Sequence, residues 1–404
     1  MNNRILVLYA LCTFFVISLI TNSMGPIFPA LIESYDIGLT LAGLFPFAFF
    51  IAYGVMSVPA GMLVEAFGEK RVMLLAFALA ASGSALFYLL PTFTVAMVSL
   101  FCIGAGMSLL QVAINPLLRE AAGAGHFAFF SVLAQLAFGG AATLAPMIYQ
   151  HIAATSPSGG WIGMYGLFAL VAALMLLLTL AVPIKRLELN QSERVGSWQK
   201  HKALFADATV RKFFFAIAAY VALEQGIANA IAVFLERYHG LDPVAVGASV
   251  VSDFWLYMTL GCLLGLGLLK FIDSQKLLLV FALGALGTFL AAVWGGSQLS
   301  VICFPLVGFF ISIMWSVIFS LALNSRTEDH GAFAGILCSG IIGGALISPL
   351  VGLVTESIGS LQLGLMLLLL PLGFIAWVAA SAKPLVRNIT FIKTGQASEQ
   401  GRVS

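Results

Sequence analysis

The sequence predicts an all-α membrane protein of twelve transmembrane helices, arranged as two pseudo-symmetric six-helix bundles with both termini cytoplasmic. Three observations predict it. Of 404 residues, 61% are hydrophobic and only 9% are charged, whereas a soluble domain carries about 25% charged residues. Twelve apolar stretches are long enough to cross a hydrocarbon core of about 30 Å at about 1.5 Å per residue. With the N-terminus inside, every one of the 19 Lys and Arg residues except Arg237 falls in a cytoplasmic segment, as the positive-inside rule requires. A missed or invented span would invert every later loop and spoil that asymmetry. The charge pattern therefore tests the count independently of hydropathy.

The stretches run 5–31, 38–66, 71–90, 93–119, 126–152, 161–183, 212–236, 244–270, 275–295, 298–324, 331–356 and 361–382. The first is far longer than a signal-peptide core and lacks a clear small-residue cleavage site, so it reads as a membrane helix. Connections are short except Ile184 to Arg211, which is polar and charged. The expected division is an N-terminal bundle over 1–183, a cytoplasmic linker over 184–211, a C-terminal bundle over 212–382 and a cytoplasmic tail over 383–404. Five cysteines lie in apolar runs without a CxxC, so neither a disulfide framework nor a metal site is expected. A net charge of +2 provides no basic field for nucleic acid.

The loop after the second stretch reads Gly61-Met-Leu-Val-Glu65-Ala-Phe-Gly68-Glu69-Lys70-Arg71. It resembles the loop motif G-x-L-x-D-R-x-G-R-[RK] of the major facilitator superfamily, whose six-plus-six arrangement the span count also matches. Gly61, Leu63, Gly68 and Lys70 fit, and Glu65 stands for the acid, while Ala66 and Glu69 replace arginines. A decayed copy, Gly265 to Lys276, follows the eighth stretch. The resemblance implies a gating loop in which Glu65, with Lys70 or Arg71, latches one access state. The alternative is an ordinary turn with basic residues on the cytoplasmic side.

Two charges lie well inside spans, Glu224 and Asp253. At about 1.5 Å per residue, Glu224 is about 18 Å along span 7 and Asp253 about 14 Å along span 8, which places both near the midplane. A charge at the bilayer centre costs on the order of 2.5–3.5 kcal/mol on insertion scales, so it needs a partner, a cavity or a proton. No Lys, Arg or His lies in a span interior to neutralise them; all sit in loops or at span ends. Both are therefore candidates for proton coupling, against the alternative of a protonated acid bonded to a backbone carbonyl.

The first half offers amides instead: Asn22, Gln111, Asn115 and Gln135. Gln225 and Asn229 flank Glu224. Amides combine donor and acceptor without charging a cavity, which suits a polyhydroxylated neutral solute, with Tyr53, Tyr220, Trp255 or Trp315 stacking on it. The alternative for each is polar contact between helices.

Longer runs resemble one branch, the fucose–galactose–glucose:proton symporter family. Gly104 to Pro116 is similar to its G-x-G-x-x-x-[LE]-[QE]-[TV]-A-x-N-P, Tyr220-Val-Ala-Leu-Glu224 to its Y-V-G-A-[EQ], and Ser312 to Leu323 to its S-I-M-[FY]-P-T-I-F-S-L-A-L. Ile341 to Ala345 and Leu133-Ala-Gln135 add shorter matches. Gly25 and Gln111 stand where the fucose branch carries acids, and Cys262 where the family has an arginine. Coupling is thus expected to run through Glu224 and Asp253.

The resemblance implies a secondary active transporter working by alternating access. Its expected partners are a small-molecule substrate such as a monosaccharide, a proton as the coupling ion, and the lipid bilayer of the inner membrane. No nucleic acid and no cofactor are expected, and the chain is expected to act as a monomer. An exporter of amphipathic compounds, working as a proton antiporter, and a non-transporting membrane sensor remain alternatives. An enzyme is not expected, because no HExxH, GxSxG or GxxxxGK[ST] occurs.

Overall fold

The computed structural model describes residues 3–122, 127–156, 160–184, 186, 198–326, 330–382 and 385. Part of the expected linker (185 and 187–197) and all of the expected tail except residue 385 lie outside these residues. Among those described, twelve helices are long and apolar enough to cross a membrane. Spans 1–6 are Arg4–Tyr35, Leu39–Phe67, Glu69–Leu89, Phe93–Ala122, Phe130–Thr155 and Gly160–Ala181. Spans 7–12 are Ala208–His239, Pro243–Leu268, Ser274–Trp294, Ser297–Leu323, Ala332–Ile358 and Leu361–Ser381. A short helix, Trp198–Phe205, precedes span 7. Because the spans alternate in direction, the start of span 1, the end of span 6, the start of span 7 and the end of span 12 share one end of the bundle, here called the linker end. The opposite end is the far end.

Several acids that hydropathy leaves at span edges serve as helix caps. Asp207 accepts the Thr209 N–H at 2.7 Å, Asp242 those of Val244 and Ala245 at 2.9 and 2.6 Å, and Asp273 that of Gln275 at 3.0 Å. Each satisfies N–H groups that a helix start leaves without an internal partner. The cap at Asp207 explains why span 7 starts at Ala208, four residues before its apolar run. The outer faces are apolar because no water is there to solvate polar groups. On span 6, Leu170, Leu174 and Leu177 form an exposed stripe at helical spacing.

Two spans are broken in the middle. Span 1 consists of helices Asn3–Thr21 and Met24–Tyr35, separated at Asn22–Ser23. Pro26 has no N–H to offer the Asn22 carbonyl, and its ring crowds that group. Span 10 consists of helices Ser297–Ile311 and Met314–Leu323, separated at Ser312–Ile313. No proline follows that break. Instead the Ser312 carbonyl accepts a hydrogen bond from the Cys262 thiol of span 8 at 3.1 Å.

The two halves carry equivalent joints. Near the start of span 3, Lys70 Nζ donates to the Leu180 and Val182 carbonyls at the end of span 6, at 3.0 and 2.8 Å. Near the start of span 9, Gln275 Nε2 donates to the Ala379 and Ala382 carbonyls at the end of span 12. The orphan carbonyls of a helix end are thus met in each half by the same topological position, with different chemistry.

At the far end the halves touch. Glu356 of span 11 reaches Thr40 of span 2, and Gln150 of span 5 donates to the Val244 and Ala245 carbonyls of span 8 at 2.9 and 3.0 Å. Backbones approach too closely there for side chains. A Cβ on Gly352 would lie 2.5 Å from the Leu39 carbonyl carbon, and one on Gly43 would lie 2.4 Å from the Pro349 nitrogen.

Candidate solute-binding cavity

Between the halves lies a cavity of about 450 Å³, lined by spans 1, 2, 4 and 5 on one side and 7, 8, 10 and 11 on the other. Its volume falls in the 300–1,000 Å³ range of small-molecule sites. On span 8 the lining runs from Trp255 to Leu269, so the cavity extends from mid-bundle toward the linker end, away from the far-end contacts.

Both mid-span breaks face this cavity: Thr21 and Asn22 from span 1, Ser312 and Ile313 from span 10. Irregular backbone inside a membrane protein is tolerated where it lines such a space or is buried in protein. The span 1 break is anchored through Ser18. Asn22 Nδ2 donates to Ser18 Oγ at 3.0 Å, and Ser18 Oγ donates to the Phe138 carbonyl of span 5 at 2.6 Å.

Glu224 lines the cavity on the span 7 side. Tyr220, one turn earlier on the same face, donates its hydroxyl to Oε1 at 2.7 Å, and Gln225 Nε2 lies 3.4 Å from Oε2. The Tyr220 ring is 6.0 Å from that of Trp315. Among the described residues lining the cavity, Glu224 carries the one charge. The remainder of the wall is largely apolar, with Phe14, Ile17 and Phe50 on the first half and Met258, Leu263 and Leu266 on the second.

The structure brings most of the expected residues together. Asn22, Gln111, Gln135, Tyr53, Glu224, Gln225, Trp255 and Trp315 all line the cavity. Three expected residues do not. Asp253 is exposed on span 8. At 3.6 residues per turn it lies about 200° around the helix from Trp255, on the face away from the cavity, which corrects the pairing with Glu224 that depth alone suggested. Asn115 is exposed and donates to the Gln111 carbonyl one turn back at 2.7 Å. Asn229 is buried, and its Nδ2 lies 3.4 Å from Ser348 Oγ, linking spans 7 and 11. Depth along a helix was legible in the sequence, but facing was not.

The expected gating loop is a tight turn at the linker end. Gly68 has φ +80°, a conformation that side chains strain to adopt, and Gly61 is buried. Lys70 is committed to the end of span 6. The backbone carbonyl of Glu65 accepts from Arg186, and Arg71 is exposed.

Sequence reasoning missed Ser312 and Thr21 as cavity residues. A serine in an apolar run is a weak signal, and a helix break with no proline after it leaves no local trace.

Residues 10–337 match the family model described as Major Facilitator Superfamily. A glucose/galactose transporter of Brucella abortus (biovar 1, strain 9-941) is 26% identical over 361 residues, covering 86% of this chain and 86% of the relative. The L-fucose-proton symporter of Escherichia coli K12 is 24% identical over 384 residues, covering 87% of each. In fold, the crystal structure of the E. coli fucose:proton symporter matches with a TM-score of 0.69 at 22% identity, over 95% of this chain and 100% of that one.

Proposed function

The chain belongs to the major facilitator superfamily, as a multi-pass inner-membrane transporter and not an enzyme, and we propose that it moves a small neutral polyhydroxylated solute by proton symport. A monosaccharide is the solute class that the amides favour. The observation that carries this reading is the composition of the cavity. Amides come from both halves, one carboxyl faces the space, and no cation among the described lining residues neutralises it.

Glu224 is the proposed proton carrier. Its two oxygens are held by Tyr220 and Gln225, which fixes the carboxyl beside the solute space without supplying a permanent counter-charge. The two six-helix halves would rock about the midplane site. With both termini in the cytoplasm, a cavity reaching the linker end and contacts closing the far end correspond to an inward-facing state.

Replacing Glu224 by Gln tests the coupling. The variant is expected to lose proton-driven accumulation while keeping solute counterflow. Unchanged pH-dependent accumulation would remove Glu224 from the mechanism.

The apolar wall formed by Met258, Leu263 and Leu266 favours a second reading, export of an amphipathic compound by proton antiport. Transport direction in vesicles of known orientation separates the two.

A further inference from the structure

Span 8 has two unlike faces. One lines the cavity with Trp255, Met258 and Cys262. The opposite face carries Asp253, Leu256, Tyr257, Leu260 and Leu264, all exposed. At 3.6 residues per turn these positions fall within a sector of about 100°. Spans 5 and 10 pack on the flanks of span 8, so the sector looks outward, and no described residue covers it.

An acid on that face is out of place. Span 8 runs Pro243–Leu268, and Asp253 lies about 15 Å along it. The hydrocarbon core is about 30 Å thick, so Asp253 stands near its middle. Among the described residues no hydrogen bond or ion pair reaches its carboxyl, and none reaches the Tyr257 hydroxyl one turn further on. A polar group turned toward lipid is costly unless a partner meets it.

We infer that this face binds the same face of a second copy of the chain, with Asp253 of each copy accepting the Tyr257 hydroxyl of the other. The two polar groups are self-complementary: Asp253 accepts, Tyr257 donates, and they share one face. Copies in one bilayer have the same orientation, so the two-fold axis relating them stands normal to the membrane and each residue meets its counterpart at equal depth. Across that axis Tyr257 lies one turn, about 6 Å, from the facing Asp253, a distance that a tyrosine side chain spans. Both bonds then form together. The phenol serves a charged or a neutral carboxyl, because either form offers an acceptor oxygen. A basic residue on a foreign helix would meet Asp253 and leave Tyr257 unmet. Lipid headgroups lie too far from the middle of the core to meet either group.

The rest of the face suits close contact. Leu256, Leu260 and Leu264 supply apolar surface. Ser249 and Gly267 stand toward its two ends, and a Cβ on Gly267 would meet nothing within 4 Å. Short side chains let membrane helices approach. Because span 8 belongs to the second half, the contact joins the two C-terminal bundles and leaves each N-terminal bundle free to rock. Each cavity lies on the opposite side of span 8 and keeps its own opening. The assembly is a dimer of independent pathways, in place of the monomer expected from the sequence.

The test uses the full-length protein, in its native membrane and purified in lipid vesicles. Leu260→Cys places a thiol at the centre of the face, and Leu174→Cys places one on the exposed stripe of span 6. On oxidation, Leu260→Cys should form a covalent dimer well above the level given by the unaltered protein, and Leu174→Cys should not. In vesicles the dimer fraction is followed by single-molecule photobleaching as the protein is diluted in lipid. Tyr257→Phe removes both exchanged bonds and keeps the ring, so dimer affinity should fall roughly tenfold. In an Asp253→Leu background the same substitution should have no effect, because the bonds are already gone. A chain that stays monomeric at every dilution, a dimer cross-linked through Leu174→Cys instead, or a Tyr257→Phe dimer as tight as the unaltered one would overturn the inference. So would cross-linking of Leu260→Cys to a different protein in the native membrane with none between copies in vesicles.

Discussion

The carboxylate of Glu356, near the end of span 11, accepts both the backbone N–H of Thr40 at 3.1 Å and its hydroxyl at 2.5 Å, at the start of span 2. The two residues belong to different halves, and the contact closes the far end. Replacing Glu356 by Ala removes both bonds. With a net worth on the order of 1 kcal/mol for an exposed pair, the far-end-closed population should fall several-fold relative to the open one. Labelling of a cysteine introduced at the far end should accelerate correspondingly. An unchanged labelling rate would show that the clamp does not set the balance.

Close backbone approach makes a stronger version of the same argument. A Cβ at Gly352 would lie 2.5 Å from the Leu39 carbonyl carbon and the Thr40 nitrogen, which are backbone atoms and cannot swing away. Gly352→Val should prevent far-end closure, abolishing net transport while leaving solute binding from the far side measurable. Full transport by this variant would place the closed contact elsewhere.

At the linker end, Arg326 Nη1 lies 2.6 Å from Asp207 Oδ2. Partial burial pushes the Asp207 carboxyl up, but the Thr209 and Val210 N–H groups and the Arg326 guanidinium outweigh it and hold the group below the usual carboxylate range. A lowered value means that the contribution to stability is fully present above about pH 3.9 and is lost as pH falls through the folded value. Asp207→Ala should therefore destabilise the protein by about 1 kcal/mol at neutral pH, as for a lost N-cap. The difference in melting temperature from the unaltered protein should be constant between pH 5 and 8 and shrink in stronger acid.

The joint at Lys70 permits a substitution that its counterpart suggests. Lys70→Ala should lower the melting temperature, with a cost of about 1.5–3 kcal/mol for charge-assisted bonds. Lys70→Gln should recover part of the loss, since Gln275 performs the same capping in the second half. Equal destabilisation by both would argue against capping as the function of the side chain.

Asp253, on the face of span 8 away from the cavity, should be dispensable for coupling. Asp253→Asn is expected to change solute affinity and accumulation by no more than about twofold, as for a substitution outside the site. Loss of accumulation in this variant would require a second proton site.

The twelve spans and their order were legible because the bilayer fixes their length. Glu224 was legible for a similar reason: an acid in an apolar run is an exception that composition itself exposes. Asp253 looked equivalent at the same depth, yet a helix has a direction around its axis as well as along it, and an all-apolar helix gives no periodicity from which to read that direction. Span 8 is of this kind, with apolar residues on its exposed and buried faces alike. The break at Asn22 had a local cause in Pro26. The break at Ser312 has no proline after it, and the contact made there comes from Cys262, fifty positions away, so it could be found only in three dimensions.

That long-range contact has a consequence for biogenesis. Span 8 is synthesised before span 10, so Cys262 is already in the bilayer when Ser312 arrives. Nothing local forces span 10 to break, and it can enter the membrane as one uninterrupted helix. The contact between Cys262 and the Ser312 carbonyl forms only once the two spans dock against each other. In span 1, with Pro26 built in, the kink travels with the nascent chain. The contact at Ser312 is thus a marker, inside the finished pocket, that spans 8 and 10 have packed together.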